Sequence, residues 1–211
     1  MINNIVTTYT LPQLRQIEQT AEQAGIDLMQ RAARSTADWV NHQYPTASHI
    51  LIAVGTGNNG GDALWAGLNL HSRDYQVTLF IPEPVASPAA IKALALCHIN
   101  KLPIITHLDQ LTTRPKLIID GLFGIGLNRP LSENWQQFIS QLNAFNLPTL
   151  ALDTPSGLDA YTGTVYGSVI KATTTLTFLG DKPALHTEEG KKLAGEVIVD
   201  ILDLPKNMIP T

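Results

Sequence analysis

Residues 49–67, HILIAVGTGNNGGDALWAG, read as strand, loop and helix in one run. His49 to Val54 form an apolar stretch, the loop Gly55–Asp62 carries four glycines, two asparagines and an aspartate, and Leu64 to Leu70 resume an apolar pattern at helical spacing. Gly55, Gly57, Gly60 and Gly61 let a ligand approach the backbone closely. The first turn of the following helix offers unpaired N–H groups and a partial positive charge, which favours an anionic group such as phosphate. Gly55 to Gly60 satisfies G-x-G-x-x-G, and Glu83 lies at about the spacing of a ribose contact in a dinucleotide fold. Such a turn can also serve only to tighten a strand-helix junction. Asn58, Asn59 and Asp62 argue for a ligand, because a turn needing only flexibility has no use for three polar side chains.

Two helices are expected before this strand. The first starts near Leu11-Pro12, with proline suited to the first turn, and ends at Gly25; the second runs from Ile26 to about His42. Residues 1–10 read as irregular. A dehydrogenase-type nucleotide domain usually begins with its strand, so this order weakens that reading. Further strands are expected at Gln76–Ile81, Pro103–Thr106, Lys116–Asp120, Pro148–Asp153, Thr174–Leu179 and Glu196–Ile201, with helices from Ser87 to about Asn100 and over Leu131–Phe145. The alternation implies an α/β fold: a three-layer αβα sandwich, Rossmann-like, with a mainly parallel sheet and two preceding N-terminal helices. One domain over residues 1–211 is expected.

The net charge of −4 and the lack of a Lys/Arg cluster argue against a nucleic-acid partner. No apolar stretch reaches about 18 residues and no basic-then-apolar leader is present, so a soluble cytoplasmic protein off the membrane is expected. Cys97 is the only cysteine and reads as a buried small hydrophobe. The six histidines show no ligand spacing, and Trp39, Trp65 and Trp135 read as core or dimer packing.

Ligands of such sheets bind beyond the carboxyl ends of the strands. Three expected strands end in chemistry: Gly55–Asp62; Asp120-Gly-Leu-Phe-Gly-Ile-Gly-Leu-Asn-Arg-Pro130; and Asp153-Thr-Pro-Ser-Gly-Leu-Asp159. Each combines oxygen-bearing side chains with glycine. Plainer readings stand beside these. Asp120 could cap a turn, Asp153 and Ser156 could form a turn around Pro155, and Asp62 and Asp159 could cap a helix or hold a loop. Lys182 in Gly-Asp-Lys-Pro reads equally as approaching the site or as an exposed turn lysine.

GTGNNGGDA, DGLFGIGLNRPL, LDTPSGLDAYTG and FLGDKPALHTEEGKKLAGEVIVDILDLP together resemble the NAD(P)H-hydrate epimerase family, the YjeF N-terminal domain, over nearly the whole chain. The resemblance implies an isomerase that interconverts the R and S epimers at C6 of hydrated NADH or NADPH (NADHX, NADPHX). It implies ligand contacts at Asn58, Asn59, Gly60, Gly61 and Asp62, at Gly124, Ile125, Gly126, Leu127, Asn128, Arg129 and Pro130, and at Asp153. It also implies one potassium ion held by Asn59, Asp120 and Ser156, whose oxygens are hard ligands, and a homodimer. Many relatives continue into an ADP- or ATP-dependent dehydratase, so the chain is expected to work with such an enzyme or to be one half of a fusion with it. Asp153 is the candidate general acid/base, because losing configuration at a carbinolamine carbon needs proton transfer. Arg129 is a candidate phosphate partner. Thr56 and Ala63 depart from the usual proline and glycine of the pattern. A non-catalytic binding or scaffold module of the same fold, and an NAD-dependent dehydrogenase, are the competing classes.

Overall fold

In the computed structural model, which describes residues 8–209, strand β1 (His49–Val54) lies between β2 (Gln76–Phe80) and β4 (Leu117–Gly121). Outward from these, β3 (Ile104–Ile105) flanks β2, and β5 (Thr149–Leu152), β6 (Thr174–Phe178) and β7 (Glu196–Asp200) follow β4, giving the order β3-β2-β1-β4-β5-β6-β7. Every neighbouring pair is parallel, so the expected mainly parallel sheet is parallel throughout. The expected irregular start lies mostly outside the described residues.

The sequence dictates burial on both faces. Ile50, Ile52 and Val54 of β1 join one apolar layer, and Leu51 and Ala53 join the other. The first layer packs against α1 (Leu11–Gln23), α2 (Leu28–Gln43), α3 (Asn58–His71) and α4 (Pro88–Ile99), and the second against α5 (Glu133–Ala144). These are the three layers of the expected sandwich. A short α6 (Glu188–Ala194) closes a small satellite cluster with Leu158, Ala184 and Leu185.

Helix starts follow their caps. Thr10 and Gln13 form a capping box at α1, where Pro12 occupies the first turn. Helix α2 begins two residues later than the apolar pattern indicates, because the Asp27 carboxylate accepts from Gln30 N and makes Asp27 the N-cap. Helix α5 likewise begins at Glu133, since Leu131 N–H donates to Tyr166 O and holds the chain extended through Ser132.

From β1 the chain winds outward through β2 and β3, then returns to the other side of β1 and winds through β4 to β7. The reversal opens a crevice beyond the ends of β1 and β4, where ligands bind in folds of this kind.

Candidate active site

The loops after β1 and β4 and the start of α3 meet at that crevice without intervening side chains. A Cβ on Gly55 would fall 1.7 Å from Leu122 O, and one on Gly60 would fall 2.0 Å from Gly55 O. Glycine is therefore required at both positions for the β1 loop, the start of α3 and the β4 loop to pack backbone to backbone. Gly57 differs, since nothing lies within 4 Å of its Cβ position and it caps α3 without a side chain. The N-terminus of α3 thus faces open space. Gly60 and Gly61 are buried in packing, Gly61 against Met29, while Asn58 and Asp62, one helical turn apart, face the cavities. The methyl of Ala63 is directed at Gly121 and away from them.

Two cavities share a wall. The smaller, about 330 Å³, is lined by Gly57 to Asn59 and Leu122 to Arg129, with Arg15 at its side. The larger, about 560 Å³, lies under the N-terminal helices and is lined by Ile26, Met29, Phe178, Leu179 and Lys182 among others. Glu18, Asn58, Asp62, Ile125 and Asp153 line both. Gly124 to Arg129 therefore line the smaller cavity, whereas Pro130, which is exposed, and Glu83, which is half-buried, lie outside either lining.

Asp153 follows β5 with φ of 67°, a conformation few non-glycine residues adopt and one concentrated at functional sites. Its Oδ1 lies 2.6 Å from Lys182 Nζ. Lys182 is only 1% exposed, and its ammonium also donates to Phe178 O at 2.7 Å and Gly180 O at 3.0 Å. Of the two readings of Lys182, the exposed turn is thus excluded and the approach to the site holds, as a buried counter-charge. Ile125 N–H donates to Asp153 Oδ2 at 3.4 Å, fastening the β4 loop to the same carboxylate.

Behind this pair lies a second polar group. Asp120 is fully buried; Ser156 donates through its amide at 2.9 Å and its hydroxyl at 2.7 Å, and Leu122 N–H donates at 3.2 Å. Burial nevertheless pushes the Asp120 carboxyl up to about 6, outweighing those bonds. Asn59 is buried, yet neither its Oδ1 nor its Nδ2 has a partner among the described residues. An orphaned buried carboxamide is costly and calls for an occupant such as an ion or water.

Asp159 belongs elsewhere. Burial raises its carboxyl, but hydrogen bonds from Thr162, Tyr161 and Tyr166 outweigh it and leave the group below its ordinary value, so this residue organises the loop after Gly157. Phe123 and Trp135 stack edge to face at 4.9 Å and anchor the β4 loop to α5.

Comparison with known proteins shows the family and the fold. The model of the YjeF-related protein N-terminus family matches residues 25–184. The NAD(P)H-hydrate epimerase of Bordetella pertussis is 39% identical over 202 residues, 91% of this chain and 86% of that one. A bifunctional NAD(P)H-hydrate repair enzyme, Nnr, of Coxiella burnetii is 32% identical over 94% of this chain and 42% of its own. The fold matches the crystal structure of yeast ynu0 with a TM-score of 0.81 at 20% identity, covering 96% of this chain and 92% of that one. By the family model and by this degree of identity, the chain belongs to the YjeF N-terminal family.

Proposed function

We infer that this chain is an isomerase that interconverts the R and S epimers of NADHX and NADPHX at C6, in the repair of nicotinamide cofactors. Relatives at 39% and 36% identity over most of the chain carry the name NAD(P)H-hydrate epimerase. The observation that carries the reading is the Asp153–Lys182 ion pair, set at a strand end on the wall common to both cavities. Asp153 is the general acid/base. The open N-terminus of α3 with Gly57, and Arg129 with its forked guanidinium, receive the phosphates. Asn58, Asp62 and the segment from Gly124 to Arg129 hold the rest of the dinucleotide.

Potassium is the cofactor in this reading, held by Asn59, Asp120 and Ser156. The donor set fits: the Asn59 carboxamide lacks a partner, and Asp120 brings a buried carboxylate joined to Ser156. When bound, the ion supplies positive charge beneath the crevice and keeps its loops in place.

The working unit is a homodimer in the cytoplasm. Its companion is a dehydratase, in keeping with the bifunctional Coxiella relative, of which this chain spans 42%. No described helix is long and apolar enough to cross a membrane.

The test is a coupled assay with R-NADHX free of the S epimer and excess S-specific dehydratase, followed by NADH absorbance. NADH should form faster in proportion to this protein. In Asp153→Asn the rate should fall by about 10²–10⁴, the usual contribution of a general acid/base, while the ligand still binds. A rate no higher than spontaneous epimerisation, with folded protein in potassium buffer, would favour a non-catalytic binding module.

A further inference from the structure

We propose that Asp62 is a second catalytic carboxyl, the proton donor to the departing hydroxyl, working opposite Asp153 through a cationic iminium. The inference rests on the epimerase reading above. Both residues line both cavities, Asp62 from α3 and Asp153 from the end of β5, so a ring placed between them meets a carboxyl from two separate elements. Their surroundings differ. Asp153 is the partner of a buried ammonium and accepts from Ile125 N–H, whereas Asp62 is half-buried and its carboxyl makes no hydrogen bond or ion pair with any described residue.

The charges around Asp62 are mainly acidic. Helix α1 presents Glu18 and Glu22, with Arg15 further along, and the N-cap of α2 presents Asp27. The strand ends add Asp153 and Lys182, and the β4 loop adds Arg129. Burial first, then the charges of Asp153, Glu18 and Asp27, hold the Asp62 carboxyl well above the ordinary range. A carboxyl that holds its proton, facing one that is ion-paired to a buried ammonium, is the arrangement that assigns the first as acid and the second as base.

The wall of the larger cavity carries five carboxyl groups, Glu18, Glu22, Asp27, Asp62 and Asp153, against Lys182 alone. That excess stabilises a ring that becomes positive and offers nothing comparable to the neutral aldehyde of a ring-opening route. The step balances. Asp62 gives its proton to the hydroxyl, the C6–O bond breaks with its electron pair on oxygen, and water leaves as the ring-nitrogen lone pair forms the C6=N bond. Water then adds to the other face of C6, the C–O bond forms, the π pair returns to nitrogen and Asp153 takes the water proton. No electrons leave or enter. Asp62 ends charged and Asp153 protonated, so the pair is set for the reverse direction, and solvent returns the proton for another forward turn.

The test follows epimerisation in ¹⁸O-water, with the epimers separated chromatographically and weighed by mass spectrometry. Each newly formed epimer should carry one ¹⁸O. Wild-type kcat should fall as pH rises through the raised Asp62 value, because only the protonated form donates. Asp62→Asn should lose about 10²-fold or more in kcat, a larger loss than any rise in KM from the contact it also removes, and lose the alkaline fall; Asp62→Glu should recover part of the rate. Near wild-type turnover in Asp62→Asn with an unchanged pH profile, or product that retains its original oxygen, would overturn the assignment. If Asp62→Asn does not fold, the wild-type label and pH profile decide. A wild-type protein that does not epimerise would instead remove the epimerase reading itself, which separates the two failures.

Discussion

Lys182 has three ammonium protons and three acceptors: the carboxylate of Asp153 and the carbonyls of Phe178 and Gly180. Lys182→Met should therefore do two things at once. It removes the counter-charge from a carboxylate only 14% exposed, and breaking one side of a buried pair costs about 3–5 kcal/mol, measurable in urea unfolding. It also frees Asp153 to leave its productive orientation, so epimerase turnover should drop with it. Combining Lys182→Met with Asp153→Asn should cost less stability than the two losses added, because a single interaction is removed twice. A strictly additive double mutant would show that the pair is not coupled. The ion pair itself was not legible in the sequence, which left Lys182 equally as approaching the site or as an exposed turn lysine. Gly-Asp-Lys-Pro has the composition of an exposed turn, and only the packing of β6 beside β5 turns the lysine inward. The left-handed backbone of Asp153 was equally hidden, since aspartate gives no local sign of it. That Asn58, Asp62 and Asp153 line the crevice was legible, because the loops after apolar strands in such a sheet have one place to gather.

At the scale of elements, the junction of β1 and α3 separates two uses of glycine. Gly60→Ala would drive a methyl to 2.0 Å from Gly55 O, and overpacking of this kind costs about 1–3 kcal/mol. Gly57→Ala has open space and φ of −98°, so it should leave the thermal midpoint almost unchanged. The same methyl stands at the uncapped start of α3, where it should weaken NADPHX binding. Thermal melts and ligand titrations on the two variants test this, and a destabilised Gly57→Ala with normal binding would reverse the assignment. The glycine count in the sequence could not distinguish the two. The helix-start differences have the same character: apolar spacing marks where a helix can begin, but the Asp27 cap and the Leu131–Tyr166 bond mark where α2 and α5 do begin.

For the whole molecule, strand order was the part of the fold that periodicity could not supply. Alternating strands and helices imply a parallel sheet, but which strand neighbours which depends on crossovers between distant segments, and the reversal beside β1 is what sets the loops after β1, β4 and β5, which carry Asn59, Asp120 and Ser156, side by side. If potassium organises that assembly, potassium in place of sodium should raise the thermal midpoint and tighten NADPHX binding. Asn59→Ala should abolish the difference. Equal midpoints in the two salts would argue that the orphaned Asn59 carboxamide is satisfied by water. The position of Lys182 has one more consequence, for synthesis. Chains emerge from the ribosome amino end first, and the glycine loop, Asp120 and Asp153 all precede β6 in the sequence, while the ammonium that neutralises Asp153 follows it. Until residue 182 is out, a nascent chain holds its acidic crevice without the buried cation that balances it, so the site should close late, once β6 is in place and before β7 completes the sheet.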